Sequence, residues 1–344
     1  LFPYSTLFRS MIKMNKTFWL LFFSVVLLAS CQMEYPGVPE KYHTLLDTAM
    51  VVAGENSGEL EMALKSSSKE QKEATAFLIA YMPDKDLKSL SSDFILDQVN
   101  GAFKARKEFE WCRNLPDSIF LNEVLPYNNL DENRDNWRED FYARFSPLVQ
   151  DCSDIYEAID SVNLNIKEVL GVEYNSKRSV VNISPFQAIK EQMATCTGLS
   201  FLLVDAFRSV GIPARIAGTP LWTNMRGNHS WVEVWIDGDW YFTEYYPDAL
   251  NKSWFLADAG KADPEKPVHW IYAASYKPAE THYPLIWDED SREVHGVNVT
   301  DRYIRLYQEQ LEGRELAEDE LLVNIVLYKS EDEHYLRSFS EFLI

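Results

Sequence analysis

The chain has 344 residues, 46% of them hydrophobic and 14% aromatic, which is enough for a large core of two or three packed units and excludes a mainly disordered protein. Its 53 acidic and 33 basic side chains give a formal net charge of −20. Because this charge repels a phosphate backbone and no basic cluster offsets it, we do not expect nucleic acid as a partner.

Residues 1–31 are typical of an export signal with some upstream sequence. A basic start at Met14 is followed by an apolar run over residues 17–28, about a dozen residues and too short to span a bilayer comfortably. Residues 1–13 precede this start and are left out of the predicted fold. The sequence Leu-Ala-Ser-Cys31 resembles the bacterial lipobox, so Cys31 is predicted to carry lipid and to anchor an exported protein to the outer membrane or cell surface. The alternative is an ordinary secretory signal with a chance cysteine.

Three further cysteines, Cys112, Cys152 and Cys196, are an odd number for an exported protein, so at least one should be free. Cys112 and Cys152 are candidates for a disulfide that spacing alone does not establish. The chain has six histidines but no HExxH and no CxxC pattern. We therefore expect neither a metal site nor a cofactor.

Apolar residues recur at three- and four-residue steps from Lys41 to about Arg113, which predicts α-helices. We assign residues 32–115 to a helical N-terminal region that serves as scaffold. The next segment, 120–138, begins with an apolar stretch that ends at Pro126-Tyr127. Many polar residues follow, up to Trp137. It has two interpretations, a substrate-facing loop or a capped helix junction.

The segment around Cys196 has the pattern of a helix N-terminus. Thr195-Cys196-Thr197-Gly198 opens an amphipathic run over 199–210, and Gly211 and Pro213 end it. His229 then begins an alternating strand to Ile236, and Asp237-Gly238 predicts a hairpin turn to a return strand at 240–243. A helix followed by an antiparallel hairpin predicts an α+β fold.

The C-terminal part, residues 297–344, is predicted to be an incomplete β segment. Glu318-Asp319-Glu320 precedes an apolar run from Leu321 to Tyr328 that reads as a strand. We assign residues 116–296 to the catalytic core and give 297–344 no functional role.

Cys196 and His229 are candidates for a nucleophile and its base. A helix N-terminus stabilises a thiolate, a histidine on a neighbouring strand can take the thiol proton, and an acid on the adjoining strand can hold the imidazole. A single cysteine at a helix start is more often a buried structural residue, and a single histidine at a strand end is more often a surface residue. The helix start at Cys196 and the strand start at His229, taken together, favour a catalytic pair over two structural residues.

CTGLSFLLVDAFRSVGIPARIAG and NHSWVEVWIDGDWYFTEYYPD, within about residues 185–248, resemble the core of the transglutaminase-like superfamily. The wider stretch to Trp254-Phe255 is similar to transglutaminase-like lipoproteins of the Bacteroides type. The resemblance implies a papain-like triad with Cys196 as nucleophile and His229 as general base and acid. The family's acid is an Asp four residues after the return-strand tryptophan, and this chain has Glu244 there. Asp248 is the alternative.

The resemblance leaves the rest of the site as candidates. The Cys196 backbone N–H and the Gln187 side chain are the expected oxyanion donors, with a plain surface glutamine as the alternative for Gln187. Trp222 and Trp254 are candidates for the wall of a substrate groove. Trp231 and Trp235, on one face of their strand, are assigned to core packing.

The implied activity is that of a cysteine-dependent amide hydrolase, peptidase-like, acting on a protein or peptide through a thioester. A protein-glutamine transamidase with the same site, or an inactive binding module on the cell surface, are the alternatives.

Overall fold

The computed structural model describes residues 35–247 and 249–312, and the backbone of two later strands. The predicted signal, Cys31 and the alternative acid Asp248 lie outside the described residues. The α-helices are α1 (His43–Ala53), α2 (Ser57–Ser66), α3 (Lys72–Ala80), α4 (Asp84–Leu87), α5 (Ser92–Glu108), α6 (Glu110–Arg113), α7 (Asp117–Ile119), α8 (Arg138–Val149), α9 (Ile155–Leu170), α10 (Pro185–Glu191), α11 (Cys196–Ser209), α12 (Leu256–Ala259) and α13 (Thr300–Glu312). Among the fully described residues, none of these helices has the length and apolar character of a membrane span.

The strands are β1 (Glu173–Tyr174), β2 (Met193–Ala194), β3 (Ala214–Thr219), β4 (His229–Ile236), β5 (Asp239–Thr243), β6 (Tyr272–Ser275), β7 (Thr281–His282), β8 (His295–Asn298), β9 (Leu322–Ser330) and β10 (Glu333–Leu343). Six of them form one antiparallel sheet in the order β5-β4-β3-β6-β8-β7. Helices and an antiparallel sheet occur together, so the predicted α+β fold class is confirmed.

The N-terminal helices follow the predicted apolar periodicity. Their buried residues, from Leu46 of α1 to Ala105 of α5, join a single core cluster that continues to the sheet residues Val232 and Val234. A serine cap begins the longest of these helices, because the Ser91 side chain accepts a hydrogen bond from the backbone N–H of Phe94 at 3.2 Å. The helical region therefore packs directly against the core that holds the sheet.

The segment between α7 and α8 is a buried helix junction and not an exposed substrate loop. Residues 120–124 form one turn of π-helix, and Tyr127 and Trp137 are each only 1% exposed. Trp137 Nε1 donates to the backbone oxygen of Tyr127, and the Tyr127 hydroxyl donates to Asp86, both at 2.8 Å. These bonds give the two buried aromatic side chains partners for their polar hydrogens.

The sheet separates two packed layers. The side chains of Val232, Val234 and Ile236 share one face of β4 and belong to the same core cluster as residues of α11. Trp231 and Phe242 belong to a second cluster with Tyr303 of α13. Residues 300–312, predicted as part of a β segment, are thus a helix that covers the second face, whereas β9 and β10 pair with each other further along the chain.

A buried carboxylate joins α13 to the sheet. Glu233 is fully buried; its Oε2 accepts from Arg215 Nε at 2.8 Å, and its Oε1 accepts from Arg302 and from the Tyr303 hydroxyl. Burial by itself would raise the pKa of Glu233, but the two guanidinium groups outweigh it and hold that pKa below its usual value. Trp231 Nε1 donates in turn to the Tyr303 hydroxyl at 2.6 Å.

Removing one arginine from this group should destabilise the protein strongly. We expect Arg215→Met to lower the free energy of unfolding by about 3 kcal/mol, because Glu233 then stays buried with half of its compensation. Urea titration followed by tryptophan fluorescence measures this loss. The matched control is Arg144→Met, which breaks an exposed ion pair with Asp140 and should change the free energy by less than about 1 kcal/mol. Equal effects of the two substitutions would contradict this assignment of Glu233.

Candidate active site

Cys196 is the first residue of α11, as the sequence predicts for it. Thr195 precedes it with extended backbone, and the Thr195 side chain makes no capping hydrogen bond. Gly198, in the same first turn, allows the helix start to pack tightly: a Cβ there would lie 2.7 Å from Ile183 Cγ2 and 2.9 Å from Ala194 Cβ. The first turn of α11 has no side-chain cap from Thr195, and the positive end of the helix favours a negative charge on the sulfur of Cys196.

His229 is brought to Cys196 by the register of the sheet. It is the first residue of β4 and pairs with Thr219 at the end of β3. The His229 and Cys196 side chains interact closely enough to shift both pKa values. Burial alone would raise the pKa of the Cys196 thiol, but the imidazole and the Ser230 N–H, which donates toward the sulfur, bring it below its ordinary value.

The opposite shift occurs at the imidazole. Burial favours neutral His229, but its interactions with Cys196 and Glu244 outweigh burial and raise the pKa of His229 to about 9. A lowered thiol pKa beside a raised imidazole pKa favours the thiolate–imidazolium form of the pair over the neutral form. Such a pair titrates as a unit, so these directions apply to both groups together.

Glu244 directly follows β5 and contacts the far side of the imidazole. His229 Nε2 lies 2.7 Å from Glu244 Oε1, and the side chains are 12% and 15% exposed. The Ser253 hydroxyl donates to Oε2 of the same carboxylate. Asn163 Nδ2 donates to the Glu244 backbone oxygen at 2.8 Å. The sequence pointed to Glu244, but nothing in its pattern indicated Ser253 or Asn163, which lie 9 and 81 residues away along the chain.

The hydroxyl groups of Thr197 and Tyr283 also interact with Cys196, and the sequence interpretation did not include them. Thr197 Oγ1 lies 3.1 Å from Ser230 Oγ. Tyr283 is buried and interacts with Ser230, and burial raises its pKa above the usual range. A Cβ at Gly218 would lie 2.5 Å from the Tyr283 hydroxyl, so this glycine leaves the room that the hydroxyl occupies.

The two tryptophans predicted as groove walls lie in different environments. Trp254 is 59% exposed, and its ring centre is 4.9 Å from that of His229. Trp222 is only 3% exposed and stacks parallel to Trp231 at 6.0 Å. The assignment of Trp222 to a groove wall is therefore corrected, because its ring is part of the core beneath His229. Trp231 is fully buried and Trp235 partly so, as expected for packing.

Gln187 lies in α10, and its side-chain amide is bound by two neighbouring side chains. Its Nε2 donates to Ser179 Oγ at 2.7 Å and to Glu191 Oε1 at 2.9 Å. An amide nitrogen carries two hydrogens, so both are used at this surface position. The oxyanion role predicted for Gln187 would require these bonds to break, and the structure favours the surface alternative.

Cys112 and Cys152 are both free thiols. Burial raises the pKa of Cys112 to about 12, and it raises the pKa of Cys152 as well. The pKa of Cys196 is thus lowered, whereas the pKa values of the two other cysteines in the described part of the chain are raised. Over residues 35–247 and 249–312, no cluster of three or more His, Cys, Asp or Glu side chains could hold a metal ion.

Comparisons with known proteins match part of the chain. Residues 143–245, which contain Cys196, His229 and Glu244, match the family model described as "Transglutaminase-like superfamily". A crystal structure of a candidate cysteine protease from Cytophaga hutchinsonii is similar at 19% identity and a TM-score of 0.32, over 42% of this chain and 47% of that one. A crystal structure of a TGase is similar at 17% identity and a TM-score of 0.24, over 31% of each chain. The chain thus spans less than half the length of these two structures, and no curated protein matches it.

The thiol–imidazole pair predicts how alkylation of Cys196 by iodoacetamide depends on pH. In the unchanged protein the half-maximal rate should fall below about pH 8.5, the ordinary thiol value. In His229→Ala it should move above that pH, since burial then acts without the imidazole, and the rate at pH 7 should fall about tenfold or more. Peptide mapping by mass spectrometry assigns the label to each cysteine. An unchanged midpoint in His229→Ala would show that the two groups do not interact.

Proposed function

Because residues 143–245 match the family model of the transglutaminase-like superfamily, we propose that this protein is a cysteine-dependent amide hydrolase acting on peptide or protein substrates. The observation that carries the proposal is the position of His229, whose imidazole interacts with Cys196 on one side and lies 2.7 Å from Glu244 on the other. In this proposal Cys196 is the nucleophile, His229 the general base and acid, and Glu244 the group that orients His229.

The first half-reaction forms a thioester. His229 holds the proton of the Cys196 thiol, and the thiolate attacks the amide carbon, forming a C–S bond while the carbonyl electrons move to oxygen. The uncapped N–H groups at the start of α11 stabilise that oxyanion. His229 then gives its proton to the amide nitrogen, the C–N bond breaks, and an amine leaves.

The second half-reaction regenerates the thiol. His229 takes a proton from water, the resulting hydroxide attacks the thioester carbon, and the C–S bond breaks to release the acid and the Cys196 thiolate. If a primary amine enters in place of water, the same steps give a transamidase. The exposed face of Trp254 beside His229 supplies an apolar wall along which a peptide can lie.

Cleavage of a peptide library followed by mass spectrometry tests this activity. We expect the rate of Cys196→Ala to be at least about a thousandfold lower, because the thiol that interacts with His229 is then gone. Cys152→Ala is the matched control and should keep the full rate. Turnover by Cys196→Ala equal to that of the control would contradict the proposal.

Adding a primary amine such as cadaverine to the same assay separates the two reactions. Free acid as the main product indicates hydrolysis, and amine-linked product indicates transamidation. A protein with no turnover in either assay, whose Cys196 labels no faster than an unfolded control, would favour the inactive binding module.

We propose in addition that the protein is anchored to a bacterial membrane through lipid on Cys31. The support is the sequence alone, in which an apolar run ends in Leu-Ala-Ser-Cys31. Expressed in a bacterium from its natural start, the protein should sediment with membranes and enter the detergent phase of Triton X-114, whereas Cys31→Ala should not. Recovery of both forms in the aqueous phase would contradict the anchor.

A further inference from the structure

The segment Asn251–Phe255 is fixed to the sheet next to the candidate active site. The backbone N–H of Asn251 donates to the Phe242 oxygen at 3.0 Å, and Asn251 Oδ1 accepts from the Phe242 N–H at 2.9 Å. Two hydrogen bonds thus attach the segment to β5, the strand that Glu244 follows. The side chains that come next, Ser253, Trp254 and Phe255, are held at a defined distance from His229 and Glu244.

Each of these three side chains contacts the His229–Glu244 pair. Ser253 donates its hydroxyl hydrogen to Glu244 Oε2. The ring centres of Trp254 and Phe255 lie 4.9 Å and 5.3 Å from that of His229. The pair is therefore largely screened from water, which strengthens hydrogen bonds within it.

A glutamate at the acid position creates a need for such a contact. Glutamate has one more rotatable bond than aspartate, so its carboxylate has more orientations to lose when it binds an imidazole. In this site Oε1 contacts His229 Nε2, while the other oxygen, Oε2, accepts from Ser253. A carboxylate held through both oxygens cannot turn away from the imidazole without breaking a hydrogen bond.

We infer that Ser253 is a positioning residue of this active site: its hydroxyl fixes the rotation of the Glu244 carboxylate and so keeps Oε1 on His229. The inference rests on the proposed function. The Ser253 hydroxyl is hydrogen-bonded to Glu244, so its effect should appear in the protonation of the Cys196–His229 pair.

The direction of the effect follows from the pKa shifts. If Glu244 is less well oriented, the pKa of His229 falls from about 9 toward its ordinary value, and less imidazolium is present to stabilise the thiolate. The pKa of Cys196 then rises. Loss of the Ser253 hydroxyl should therefore move the alkylation midpoint of Cys196 to higher pH.

The test compares the pH dependence of Cys196 alkylation by iodoacetamide in five variants and the unchanged protein. Ser253→Ala should raise the midpoint and slow alkylation at pH 7 about fivefold, the effect of one hydrogen bond. Glu244→Gln should raise it further. Ser253→Thr, which keeps a hydroxyl, should have the same midpoint as the unchanged protein. Lys252→Ala, an exposed neighbour in the same segment, is the matched control and should leave it unchanged.

The double variant Ser253→Ala/Glu244→Gln completes a cycle. It should behave like Glu244→Gln alone, because Ser253 has no carboxylate left to position. Two results would overturn the inference: additive shifts in the double variant, or a Ser253→Ala protein whose melting temperature falls while its midpoint stays in place. A Cys196 that reacts like an ordinary thiol in the unchanged protein and in Glu244→Gln would instead overturn the proposed function itself.

Discussion

The contact between the start of α11 and the start of β4 is the constraint on which the site depends. Cys196 is the first residue of the helix and His229 the first residue of the strand, so each candidate side chain sits at the end of a rigid element. The helix packs against β3 and β4, and the pairing of His229 with Thr219 fixes the position of the imidazole. A slip of one residue in this register would turn His229 to the other face of the sheet and separate it from the thiol.

The same strand explains why the core beneath the site is partly charged. His229, Trp231 and Glu233 follow each other at two-residue steps, so they share one face of β4. Trp231 and Glu233 both bond to the Tyr303 hydroxyl of α13. A purely apolar face would bury area just as well, but these directed bonds also fix where α13 lies. The helix that covers the sheet is thus located by the strand that carries the candidate base.

Local patterns predicted the parts of the site that local structure builds. A helix start at Cys196, a strand start at His229 and a return strand ending near Glu244 are all encoded within about fifty residues, and the structure brings those three side chains together. Contacts between segments that are distant in the sequence could not be predicted from such local patterns. Trp222 was a candidate for a groove wall, yet it stacks on Trp231 in the core, and the amide of Gln187 is engaged by Ser179 and Glu191. The helix over residues 300–312 was missed because the strand-like run after it dominated the pattern.

The glutamate at the acid position is held by a contact from outside the helix and hairpin that carry the other candidate residues. A longer acid reaches the imidazole from the end of β5, but its extra torsion loosens the orientation that the imidazole needs. The loop that returns to β5 through Asn251 brings a hydroxyl to the free carboxylate oxygen and two aromatic rings to the imidazole. The site is therefore specified by two elements, the helix–hairpin unit that carries Cys196, His229 and Glu244 and the loop that holds Glu244 in place. A sequence that kept the first and lost the second would still match the family pattern while holding its histidine less firmly.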